Sequence, residues 1–182
     1  MMLGRLFAHA TGPLLRTHAT RQSIPTGLSI PIRASRRYDT ALMRTFLMRI
    51  AFDGTDFHGF QNQPGLRTVQ SVMEDQLRRV LRHPLELIGS GRTDAGVHAA
   101  SMGTSFTSTT PLPPGKLIHA IGSRLPQDVG VLDIREAAPD FHARKDALCK
   151  LYQYRIFSSQ TRPVAEFAQR YAFHCWRALD VE

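Results

Sequence analysis

The sequence predicts an α+β domain built from one antiparallel sheet with its helices on one face, and three observations point to it. Residues 45–52 alternate strictly, with Phe46, Met48, Ile50 and Phe52 apolar, which is the pattern of a half-buried strand. Val69, Val72, Met73, Leu77, Val80 and Leu81 then recur near helical spacing. Strand-like stretches follow, over 100–107 and 129–134, with another helical stretch between them.

Taken in order, the first strand ends at Asp53-Gly54, a pair with turn chemistry. A loop rich in glycine and glutamine runs on through Gly65. Thr68 is placed to cap the first helix, and Arg78, Arg79, Arg82 and His83 suit its negative C-terminal end, with Pro84 beyond. Leu85 to Ile88 reads as a short second strand leading into the segment Gly89–His98. Ala100 to Thr107 reads as the third strand, and Pro111 to Gly115 as a breaker cluster. Lys116 to Leu125 places Leu117, Ile118, Ile121 and Leu125 on one side of a second helix. Val129 to Ile134 is the fourth strand, and Lys150 to Phe157 an added one with Tyr152, Tyr154 and Ile156 in phase. The order β-α-β-β-α-β is the ferredoxin-like layout, shared by RNA-recognition modules. The aromatic signature run of those modules has no counterpart here. In the tail, Tyr171 to His174 reads as the start of a strand, and Leu179 to Glu182 as the start of a helix.

Charge divides the chain more sharply than composition does. The 182 residues carry a net +8, but residues 1–44 hold seven arginines and one acid, or 7 − 1 = +6, leaving 8 − 6 = +2 for the remainder. The bulk charge of the domain is therefore no argument for nucleic-acid binding; local placement has to be. The leader 1–44, rich in Arg, Ser, Thr and Ala, has the composition of an organellar transit segment, and a disordered basic tail is the alternative. That reading implies a mitochondrial location, with plastid, cytoplasm and nucleus as alternatives. Cys149 and Cys175 lie far apart and form no metal framework, so no metal site is expected. No apolar run approaches the length of a membrane span.

The segment Gly91-Arg92-Thr93-Asp94-Ala95-Gly96-Val97-His98 concentrates the chemistry. Two glycines bracket a carboxylate and allow sharp turning and close approach of a substrate. An aspartate there can act as nucleophile or base. The guanidinium of Arg92, two residues away, can favour the ionised carboxylate or bind a phosphate. The same glycine–aspartate cluster also suits an ordinary turn, and His98 suits either an acid–base or a structural role.

Several motifs occur in a fixed order: the run Phe52 to Gln63, then Thr68-Val69-Gln70, the octet Gly91–His98, Leu125-Pro126-Gln127-Asp128-Val129, Asp140-Phe141-His142-Ala143-Arg144 and Lys150-Leu151-Tyr152-Gln153-Tyr154. In these the chain resembles the TruA-like tRNA pseudouridine synthase family, over about residues 46–176. The resemblance implies isomerisation of uridine to pseudouridine in tRNA, in or near the anticodon stem-loop, with no cofactor. It implies that Asp94 is the essential carboxylate and that Arg92 pairs with it or fills the space of the flipped base. Tyr152 would stack on the target uracil, although its alternating setting also suits a core tyrosine. His58, Gln61 and Arg144 would contact tRNA, with loop-internal hydrogen bonds as the alternative for the first two and pairing with an acid as the alternative for Arg144.

The family has tryptophan more commonly at the position of Phe60, and it continues into a second ferredoxin-like half whose motifs find no match here. The expected organisation is thus a leader over 1–44, a ferredoxin-like catalytic domain over 45–157, and the start of an incomplete second domain over 158–182. The resemblance implies tRNA as partner and a homodimer in the full-length form, with no membrane association. A truncated, noncatalytic RNA-binding module of the same fold is the alternative.

Overall fold

The computed structural model describes residues 7–8, 43–162 and 170–180. The transit reading of the leader therefore lies almost wholly outside the described residues. The chain divides into two compact units, one made of Met1–Leu3 and Arg33–Lys150, the other of Gly4–Ile32 and Leu151–Glu182.

The elements in chain order are β1 (Phe7–Ala8), β2 (Arg44–Phe52), α1 (Val69–Leu81), β3 (Ile88–Gly89), β4 (Ala99–Ser108), α2 (Pro114–Gly122), β5 (Val129–Glu136), β6 (Arg155–Ser158) and β7 (Phe173–Cys175). In the first unit the sheet order is β3-β4-β2-β5 and every pairing is antiparallel. This is the ferredoxin-like arrangement expected from the order of elements.

Alternation decides which face is covered. Phe46, Met48, Ile50 and Phe52 of β2 are buried, opposite Met102, Thr104 and Phe106 of β4. Val129 and Ile134 of β5 join them. Val69, Met73, Leu77 and Leu81 of α1, and Leu117 and Ile121 of α2, close the same core. Burying each such side chain contributes roughly 1.5–3 kcal/mol. The Phe46 and Phe106 rings stack with centroids 5.2 Å apart.

Thr68 does cap α1: its hydroxyl oxygen accepts from Ser71 N, while Ser71 Oγ accepts from Thr68 N. Helix α2 starts earlier than expected, at Pro114, because proline at the first helical position gives up no hydrogen bond. The second strand is shorter than expected and reaches only Ile88–Gly89. Leu85 and Leu87 turn instead toward the helical core.

In the second unit, β1 pairs parallel with β6, and β6 pairs parallel with β7. The added strand expected over Lys150–Phe157 is confined to Arg155–Ser158. Its in-phase pattern came from Tyr152 and Tyr154, but both are exposed and lie ahead of the paired segment. Alternation without a ladder partner does not make a strand. The strand expected from Tyr171 is the short β7, and residues 179–180 carry no helix.

Candidate functional site

The segment between β3 and β4 carries Asp94, and its shape follows from four glycines. Val97 N donates to Asp94 O at 3.2 Å, closing a turn whose third residue, Gly96, has φ +77°. A turn of this kind needs a left-handed residue at that position, where glycine carries no steric cost. Gly54 and Gly59 are required by contact. A β-carbon at Gly54 would lie 1.9 Å from Val97 O, and one at Gly59, where φ is +85°, 2.6 Å from Thr93 O. At Gly89 a β-carbon would enter the buried Phe60 ring.

Hydrogen bonds fix the segment on both sides of Asp94. Phe60 N donates to Thr93 O at 3.0 Å, and Gly96 N donates to Phe57 O at 3.2 Å. Ser90 N donates to Gly103 O at 2.7 Å, tying the segment's start to β4. At its end, the His98 side chain is 4% exposed, with Nδ1 3.1 Å from Gly54 N and 3.0 Å from Asp53 Oδ1. That nitrogen serves one of them at a time, accepting from Gly54 or donating to Asp53, according to protonation. Of the two roles open to His98, this geometry is the structural one.

The bracing residues are themselves anchored. Glu74 is buried, and its carboxylate accepts from Leu87 N, Gln70 Nε2, Asn62 Nδ2 and Arg78. Asn62 also accepts from Thr68 Oγ1. The loop just after Phe60 is thereby fastened to α1. Arg67 forms a two-pronged pair with Asp128 at 2.8 and 3.0 Å and lies 4.1 Å over the Phe57 ring. The hydrogen bonds to Asp128 raise the Arg67 pKa above its ordinary value. A raised pKa means that this contribution is present at every pH below the ordinary guanidinium value and is lost only as pH rises through the higher one. Arg67 thus holds its charge across the neutral range.

Against this fixed backbone, Asp94 and Arg92 are exposed, and neither side chain has a hydrogen bond or ion pair among the described residues. The expected Arg92–Asp94 pairing is therefore not formed here. His58 and Gln61 are exposed on the loop that supports the segment. His58 engages through its backbone: its N–H donates to Arg67 O and its carbonyl accepts from Gln63 Nε2.

Arg144 is exposed on a turn held to the sheet face opposite the helices, where Ala143 N donates to Ser105 Oγ at 3.1 Å. Gly103, two residues along β4 on that same face, is the neighbour of Ser90. Positions two apart on a strand are about 6.6 Å from one another, so the Arg144 turn and the start of the Asp94 segment are neighbours on one face. Tyr152 belongs to the second unit and is 64% exposed, on irregular backbone.

Sequence reasoning missed the supports at Gly54, Gly59 and Phe60, together with Lys150, whose side chain runs beside Gly91. The glycines were visible as letters, but their partners lie some forty residues away in the chain, as in the Gly54–His98 bond.

A family model described as tRNA pseudouridine synthase matches residues 48–145, more than half of the chain. A tRNA pseudouridine synthase A of Limosilactobacillus fermentum is 43% identical over 144 residues, covering 77% of this chain and 55% of the relative. The protein of the same name from Caldicellulosiruptor bescii is 38% identical over 140 residues, 77% of this chain and 57% of that one. The one from Exiguobacterium sibiricum is 44% identical over 114 residues, 63% and 46% respectively. The chain spans about half the length of these relatives.

Proposed function

Because the chain belongs to the tRNA pseudouridine synthase family, we propose that it acts in the isomerisation of uridine to pseudouridine in tRNA, with Asp94 as the reacting carboxylate. The observation that carries this reading is the contrast at Asp94: a side chain without partners among the described residues, on a backbone held from both sides. Preorganised backbone with an unengaged reactive group is what positioning catalysis requires.

The reaction breaks the C1′–N1 bond, turns the uracil and joins C5 to C1′, with the C5 hydrogen lost as a proton and N1 taking one up. Stacked uridine hides these atoms, so the base is first extruded, at a cost of a few kcal/mol. In this reading Tyr152 stacks on the uracil and returns roughly 1–3 kcal/mol, and its exposure leaves the ring face open for it. Arg92 occupies the space the base leaves or pairs with Asp94 once substrate is bound. Arg144, His58 and Gln61 contact tRNA. The anticodon stem-loop is the expected region, a homodimer the expected assembly of a full-length form, and the mitochondrion the expected location of a chain with so basic a leader.

The test is to incubate the chain with tRNA transcripts and map pseudouridine, comparing the unaltered protein with Asp94→Ala. Pseudouridine at discrete positions, lost in Asp94→Ala, is the expected result. Equal product from both would remove Asp94 from the chemistry. Binding of tRNA with no product from either would make the chain a noncatalytic RNA-binding module.

A further inference from the structure

Lys150 lies along the first residue of the Asp94 segment. A β-carbon at Gly91 would sit 3.3 Å from Lys150 Nζ, 3.4 Å from Cε and 3.8 Å from Cδ. The stem of the lysine thus runs beside a position of the segment that carries no side chain. Its ammonium is exposed and has no hydrogen bond or ion pair among the described residues.

Several other cations of the same unit are ion-paired. Arg44 pairs with Glu136, Arg67 with Asp128 and Arg78 with Glu74 and Asp75. Lys150 is not neutralising Asp94 either, since no ion pair joins them among the described residues. A lysine ammonium is a compact charge with three donors and suits a phosphate oxygen better than a neutral base edge. The side chain of Arg92, the next residue after Gly91, also has no hydrogen bond or ion pair among the described residues, so two positive groups lie at the start of the Asp94 segment.

We propose that Lys150 is a substrate-binding residue whose ammonium holds an RNA backbone phosphate at the start of the Asp94 segment. The proposal rests on the reading of Asp94 as the reacting carboxylate, and it adds a phosphate contact at the same site.

The test is equilibrium binding of a tRNA transcript to the full 182-residue chain across a salt series. One phosphate contact contributes about 0.7–0.9 to the slope of log affinity against log salt. Lys150→Ala is expected to flatten the slope by that amount, so that the affinity lost between about 50 and 200 mM salt is about threefold smaller. Lys150→Arg is expected to restore the slope. An unchanged slope in Lys150→Ala overturns the proposal, as does tRNA binding that ignores salt. Asp94→Ala separates the two readings. If it abolishes pseudouridine while Lys150→Ala leaves the slope unchanged, only the phosphate contact falls. A slope that depends on Lys150 in a chain that makes no pseudouridine leaves the contact standing without the isomerase.

Discussion

Gly59 touches the carbonyl of Thr93, the residue before Asp94, so closely that a β-carbon at position 59 would lie 2.6 Å from the oxygen. The backbone there has φ +85°, so alanine is disfavoured twice, by conformation and by collision with another main chain. Gly59→Ala is expected to destabilise the domain by about 2–4 kcal/mol. It should also slow pseudouridine formation more than it weakens tRNA binding. Urea unfolding and single-turnover assays read the two effects; an unchanged urea midpoint would show that the contact yields.

The buried imidazole of His98 offers a second prediction. His98→Ala leaves Gly54 N without its partner and is expected to cost about 1–3 kcal/mol. His98→Asn places an amide oxygen near the position of Nδ1 and should recover much of that stability together with the activity. If His98 were instead a proton carrier in the reaction, the asparagine variant would be stable and inactive.

Glu74 supports the third. Its carboxylate receives four donors, from Leu87, Gln70, Asn62 and Arg78. Glu74→Gln turns one acceptor into a donor facing donors, at an expected cost of about 2–4 kcal/mol. The change should also release the Asn62 loop, which amide hydrogen exchange at Gln70 and Leu87 would register as faster exchange. Exchange no faster than in the unaltered protein would mean the network does not hold the loop.

How much of this was legible in the sequence depended on the range of the interaction. The alternation of Phe46, Met48, Ile50 and Phe52 reports a local rule, which side of a strand faces the core, and it held residue by residue. The Thr68 cap is local in the same way, since donor and acceptor are three residues apart. Pro114 was misread because proline both breaks and begins helices, and only the packing of Leu117 and Ile121 decides between them. Tyr152 and Tyr154 kept strand rhythm without strand pairing, since periodicity describes a chain and a ladder requires two.

At the candidate site, Asp94 stood out because glycines framed it, whereas its supports did not. Nothing local to Gly54 or Gly59 tells of Val97 or Thr93, and nothing local to Lys150 tells of Gly91. Arg92 and Asp94, two residues apart, form no ion pair among the described residues, and an exposed arginine gains little from a solvated carboxylate.

The registry of β2 with β4 also governs the order in which the molecule can come into being. Ile50 is partnered by Met102, and Gly54 by His98. A ribosome delivers the first of each pair long before the second, and contacts so distant in sequence form slowly. While residues 54–60 emerge they have no carbonyl to brace, and Asp94 appears on an unshaped segment until β4 docks beside β2. The segment that carries Asp94 is therefore shaped only after β4 has docked. Pulsed hydrogen exchange during refolding should find the Gly96 amide protected no earlier than those of the β2–β4 ladder.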